Sequence, residues 1–140
     1  GRTMSSFPLK IMTPDGTAFD GQVQSVSCRT ITGQVQLMAR HSEYCTALGM
    51  GEAHITLEDG TQRSAACMGG MLSMFGGECR LLATTFEWAD SIDKERAERS
   101  KARAEELLAQ KNLDARELEL AQARLKRALV RSNVAARAQF

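Results

Sequence analysis

The chain has 140 residues, 43% hydrophobic and 25% charged, with 18 Lys plus Arg against 17 Asp plus Glu. That balance excludes global disorder, no window reaches the ~18 consecutive apolar residues of a membrane span, and the near-neutral total argues neither for nor against nucleic acid. Cys28, Cys45, Cys67 and Cys79 form no C-x-x-C pair, and His41 and His54 stand at no zinc-like spacing from them, so buried thiols in a reducing cytosol are expected rather than a metal centre.

In chain order, Gly1-Arg2-Thr3 before Met4 reads as a tag remnant, with a tail over 1–6 and no signal peptide, which points to the cytoplasm. Leu9–Thr13 reads as a strand ending at Pro14-Asp15-Gly16, and a second short piece ends at Asp20-Gly21. Val26, Cys28 and Thr30 alternate with polar neighbours, as do Val35 and Leu37 after Gly33. Ala53, Ile55 and Leu57 lead into Glu58-Asp59-Gly60 and then Gln62–Met68, which predicts a hairpin on a type I′ turn. Gly69-Gly70 and Gly76-Gly77 read as strand-end turns around Met71–Phe75, and Cys79, Leu81, Ala83 and Thr85 alternate again. Roughly eight to ten short strands predict a two-sheet sandwich or flattened barrel over 7–87.

Beyond Ser91 there is no Gly, Pro or Thr, and Ala and Leu take over. Residues 1–90 carry a net charge of −3 and residues 91–140 a net charge of +4, so a basic helical tail follows a mildly acidic body. The region 88–140 is expected to form an antiparallel two-helix hairpin, with helices near 91–110 and 114–135. Ser91 is the expected cap of the first helix, and Asp114 with Glu117 opens the second like a capping box. Ala97, Ala104 and Leu108 draw one apolar stripe, and Leu118, Ala121, Leu125, Ala128 and Leu129 draw the other. Such alanine-rich stripes bury little area, so the hairpin is weakly held and able to move.

No catalytic constellation appears. The chain has no G-x-S-x-G and no glycine-rich phosphate loop ending in Lys-Ser/Thr, which argues against a small ATP-hydrolysing enzyme. His41, Tyr44 and Cys45 cluster in sequence, but near neighbours in strands face opposite ways and no third orienting group is evident, so a surface loop is expected there. In the tail, Asp93, Arg96 and Arg103 share one helix face, and Arg127 and Arg131 share another. If the helices fold back on each other, these arginines converge on one anion. Charge pattern alone favours a solvated face.

Several stretches resemble the epsilon subunit of the rotary F-type ATP synthase. Leu9-Lys10-Ile11-Met12-Thr13-Pro14-Asp15-Gly16 is similar to its opening strand and turn, Gly33-Gln34-Val35-Gln36-Leu37 through His41 to its rotor-facing loop, and Met68-Gly69-Gly70-Met71-Leu72-Ser73-Met74 to a later strand. Ala39 and Glu43 stand where the family has prolines, and Gln34 replaces a usual Glu. Ile92-Asp93-Lys94-Glu95-Arg96-Ala97 fits the Ile/Leu-Asp-x-x-Arg-Ala motif by which some bacterial members bind ATP on the folded hairpin.

The resemblance implies a non-catalytic, regulatory central-stalk subunit of a proton-translocating ATP synthase, peripheral at the cytoplasmic face of the bacterial plasma membrane. Its implied partners are the gamma subunit, the c subunits of the membrane rotor ring through Gln34 and His41, and the alpha and beta subunits of the catalytic head. No catalytic residue, metal or resident cofactor is implied. ATP is the implied regulatory ligand, held by Glu87, Ile92, Asp93, Arg96, Ala97, Arg103, Arg127 and Arg131. Arginine forks suit phosphate oxygens, while Glu87 or Asp93 can accept from the adenine amine. The alternative from another class is a free-standing β-sandwich adaptor whose basic hairpin binds nucleic acid or a partner helix. The tail lacks the aromatics on which single-strand binders stack bases.

Overall fold

The computed structural model describes residues 5–138, so the leading residues expected to be a tag remnant lie largely outside it. Six strands come first: β1 (Phe7–Thr13), β2 (Gly16–Thr30), β3 (Gly33–Met38), β4 (Tyr44–Leu57), β5 (Gln62–Phe75) and β6 (Glu78–Trp88). A short 3-10 turn over Ala89–Ser91 leads to helices α1 (Lys94–Leu108) and α2 (Ala115–Arg137). The chain divides into two units between Trp88 and Ala89.

The strands close into a flattened barrel, in the order β1-β6-β5-β4-β2, with β2 returning to β1 and β3 added outside β2. All pairings are antiparallel except β1 with β6, where Leu9 lies opposite Cys79 and Ile11 opposite Leu81. Alternation in the sequence sets which side faces in. Phe7, Leu9 and Ile11 of β1, Val23, Val26 and Cys28 of β2, and Cys79, Leu81 and Ala83 of β6 are all buried in one core. Each fully buried Leu or Ile contributes about 1.5–3 kcal/mol relative to exposure.

The strands are fewer and longer than the sequence predicts. The expected stop at Asp20-Gly21 does not occur, because Asp20 and Gly21 continue pairing with Lys10 and Leu9. Gly69 and Gly70 lie inside β5 rather than in a turn, with φ of 71° and 114°, and β5 keeps its register to both neighbours through them. Glycine there lets a single strand coil around the barrel where an L-residue would end it. Gly76 and Gly77 do form the expected turn between β5 and β6.

The β4–β5 hairpin is present, but its turn is not type I′. Of its central residues only Gly60 has positive φ, at 90°. Gly60 donates its N–H to the Leu57 carbonyl (3.0 Å), and Leu57 donates to the Thr61 carbonyl (2.8 Å), which is a type I turn closed by a glycine bulge. The Asp59 carboxylate accepts from the Thr61 N–H at 2.9 Å, and this holds its pKa below the usual range.

The end of β6 is anchored by aromatic packing. Trp88 meets Phe86 edge-on at 4.9 Å and Phe19 at 6.1 Å, and the Arg63 guanidinium lies 3.8 Å from its ring centre. Its indole N–H donates to the Ala18 carbonyl at 3.4 Å.

Burial pushes the thiols of Cys28, Cys67 and Cys79 up to about 12, whereas Cys45 is exposed. A thiol reagent is therefore expected to label one cysteine rapidly in the native protein and all four after unfolding. Because the folded-state pKa values lie above those of the unfolded chain, their contribution is full below pH ~9. It declines as pH rises towards about 12, and denaturant midpoints measured across that window check the sign.

Candidate functional site: the arginine groove of the hairpin

The helical unit begins with caps. The first helix is capped by Asp93 rather than Ser91, whose residue is taken up by the preceding 3-10 turn. The Asp93 carboxylate accepts from the Arg96 N–H at 3.1 Å. Asp114 caps α2 as expected and accepts from the Glu117 N–H at 2.7 Å, which holds its carboxyl below the usual range. The α1 end is closed by the Ala109 N–H, which donates to the carbonyls of Glu105 and Glu106.

The two helices meet along a seam of methyl groups. Ala97 and Ala104 on α1 and Ala121 and Ala128 on α2 are buried, and Ser132, Val134 and Ala135 are buried in the last turns of α2. The leucines expected in the stripes lie beside this seam rather than in it: Leu108 and Leu125 are half-buried, and Leu118 and Leu129 are 40% and 37% exposed. Alanines draw the helix axes close, and the longer side chains then splay to the flanks.

Along one flank the helices enclose an open groove of about 260 Å³. Ser100, Arg103 and Leu107 from α1 face Arg124, Arg127 and Arg131 from α2, over a floor of Ala104 and Ala128. Both sets follow the i, i+3, i+4, i+7 spacing of a single helix face. No carboxylate lines the groove. Among the described residues, Arg103, Arg124 and Arg127 form no ion pair, while the Arg99–Glu95 pair at 3.9 Å is highly exposed on both sides. Four guanidinium groups facing one concavity make a cradle for an anion, with fork-shaped donors for phosphate or carboxylate oxygens.

The sequence-predicted ligand residues are distributed as follows. Arg103, Arg127 and Arg131 line the groove together. Ile92, Asp93, Arg96 and Ala97 belong to the entry and first turn of α1, outside the groove lining: Ala97 is buried in the seam, Ile92 is half-buried and Arg96 is exposed. Glu87 belongs to the β unit, on β6 opposite Ala66. Arg124 and Ser100 line the groove as well, outside the set that the sequence points to. The spacing Arg124-x-x-Arg127-x-x-x-Arg131, and Ser100 three residues before Arg103, is the signal that marks them.

On the β unit, Gln34 is exposed on β3 and donates from its amide to the Ser27 hydroxyl at 3.1 Å. His41 is half-buried after β3, edge-on to Tyr44 at 5.7 Å, with its Nδ1 2.8 Å from the Ser42 carbonyl. Tyr44 and Cys45 open β4 instead of lying in a loop, and they differ in exposure as successive strand residues do. No group of three or more potential metal ligands occurs among the described residues.

Two family models match the chain. Residues 6–89 match the β-sandwich domain of the ATP synthase delta/epsilon chain, and residues 90–136 match the long α-helix domain of the same chain. The ATP synthase epsilon chain of Caldicellulosiruptor bescii is 36% identical over 132 residues, covering 94% of this chain and 95% of that one. The epsilon chain of Ruminococcus albus is 36% identical over 133 residues, covering 94% and 98%. Among solved structures, a chain of the Euglena gracilis mitochondrial ATP synthase, determined with its c-ring, superposes with a TM-score of 0.81 at 17% identity. It covers 97% of this chain and 84% of that one, and supports the fold alone.

Proposed function

This chain belongs to the delta/epsilon chain family of ATP synthases, and on that premise we propose that it senses ATP through its hairpin and restrains ATP hydrolysis when the ligand leaves. It is a non-catalytic subunit of the central stalk, and family membership sets aside the free-standing adaptor. No described helix is long and apolar enough to cross a membrane.

The observation that carries the proposal is the convergence of Arg103, Arg127 and Arg131 on one groove of the folded hairpin. That groove exists only while the two helices are together, because each contributes one wall. A nucleotide bound there selects the folded hairpin by its differential affinity for the two states. When ATP is scarce the alanine seam alone holds the helices, and their separation frees a basic arm. That arm can reach along the gamma subunit to acidic surfaces on the alpha and beta subunits and oppose rotation in the hydrolysis direction. The β unit is the rotor-side module, docking on gamma and on the c subunits through the face carrying Gln34 and His41.

The test is a calorimetric titration of the purified chain with ATP, followed by small-angle scattering of the same samples. Saturable binding with compaction is expected. A chain that takes up no ATP at millimolar concentration would leave the arginines as ordinary solvated charges.

A further inference from the structure

Arg124 lies outside the set of residues that the family resemblance assigns to ATP, yet it lines the same groove as Arg103, Arg127 and Arg131. From this placement we infer that Arg124 is a further anion-binding residue, and that it extends the site towards the inter-helix loop to hold the far end of a polyphosphate chain. The inference rests on the ATP-sensing reading above and adds to it a residue and a ligand class.

Three features carry it. First, Arg124, Arg127 and Arg131 occupy one face of α2, and their backbone positions span about 10 Å of helix axis at 1.5 Å per residue. A row of guanidinium groups that long suits an elongated anion better than a compact one. Second, Arg124 lines the groove with Arg103, Leu107, Ala104 and Ala128, and it stands nearer than Arg127 to the loop between α1 and α2. The Ile92–Ala97 motif lies at the opposite end of α1. A nucleotide whose base is near that motif therefore directs its phosphates towards Arg124. Third, no carboxylate lines the groove, and Arg124 has no ion-pair partner among the described residues. Its charge is thus left for a ligand rather than spent on a neighbour.

The chemistry that recognises the ligand is a chain of linked phosphates. The base adds contacts elsewhere, so inorganic tripolyphosphate is a sufficient probe of this part of the groove. The experiment titrates ATP and, separately, sodium tripolyphosphate into the full chain, into Arg124→Gln, into Arg124→Lys and into Lys126→Gln. Lys126 lies on the same helix outside the groove lining, and its replacement removes the same unit of charge.

Arg124→Gln is expected to weaken both ligands about tenfold, the loss of one charge-assisted contact. Arg124→Lys should recover part of that loss, and Lys126→Gln should stay within about twofold of the parent because exposed charges away from a ligand are screened. Thermal melts and helical circular dichroism of all four proteins confirm that they fold alike. If the parent binds ATP and Arg124→Gln binds both ligands as the parent does, the inference is wrong while the ATP-sensing reading stands. An equal loss in Lys126→Gln also overturns it, since the effect is then one of net charge. If the parent binds no ATP, the underlying reading falls and this inference falls with it.

Discussion

Replacement of Arg127 by alanine is expected to weaken ATP binding to the isolated chain by about tenfold or more, at ~1.4 kcal/mol per decade. Arg127 is central in the groove, with Arg124 and Arg131 on either side of it along α2 and Arg103 on the facing helix. A phosphate-facing guanidinium contributes a charge-assisted bond of about 1.5–3 kcal/mol before desolvation. Arg127→Lys should restore attraction but lose the two-pronged geometry, and fall between the two.

The assembled enzyme gives the second readout. A ligand that binds only the folded hairpin stabilises it by an amount set by its concentration relative to its Kd. Weakening that ligand tenfold moves the ATP concentration needed to release inhibition upward by the same factor. Arg127→Ala should therefore leave ATP hydrolysis more inhibited at moderate ATP and unchanged at saturating ATP. Arg96→Ala locates the other boundary of the site. A loss as large as that of Arg127→Ala extends the ligand back over the first turn of α1, and parental affinity confines it to the groove. Unchanged affinity in Arg127→Ala would end the ATP-sensing reading.

Gly70→Ala should produce the largest loss of stability among glycine-to-alanine changes in the β unit. Two costs act together. The residue holds φ at 114°, a region that L-residues rarely adopt, for about 1–3 kcal/mol. The added methyl would also be driven into the carbonyl oxygen of Leu82 on β6, which is backbone in a closed barrel and cannot swing aside. The sum is expected to exceed about 3 kcal/mol, or to prevent folding. Gly60→Ala separates the two costs, because Gly60 has φ of 90° but nothing within 4 Å of the new atom. Urea midpoints of the two variants give the comparison. Equal losses would mean that β6 yields to the methyl.

Much of this architecture is legible in the residues. The change from Gly- and Thr-rich alternation to Ala- and Leu-rich helix separates barrel from hairpin, and Asp114 ahead of Glu117 marks the start of α2. Strand number is not legible, because the sequence signals for a turn and for a coiled strand are the same. Gly69-Gly70 and Gly76-Gly77 look alike on paper, yet one pair continues a strand and the other ends it. What decides is whether a neighbouring strand can keep pairing through the glycines. The cap at Asp93 is missed for a related reason: Ser91 is as good a cap by type, but a 3-10 turn already uses its backbone. For the groove, the arginines are visible as charges, whereas their convergence depends on how two helices register against each other. Arg124 escapes notice because helix periodicity is informative only after the partner face is known.

The parallel pairing of β1 with β6 also bears on how the molecule is made. Leu9 meets Cys79 and Ile11 meets Leu81, partners separated by 70 positions in the chain. Closing so long a segment loses chain entropy before any contact compensates it, and topologies rich in such distant pairs fold slowly. Each helix of the hairpin needs only neighbours in sequence, and isolated helices form within about a microsecond. During synthesis the first strand therefore has to wait for the sixth. Until Glu78–Trp88 has emerged from the ribosome, Leu9 and Ile11, which are almost wholly covered in the finished barrel, have no parallel partner. A nascent chain stalled before that point exposes an unpaired edge, a hazard for self-association that the completed ring removes.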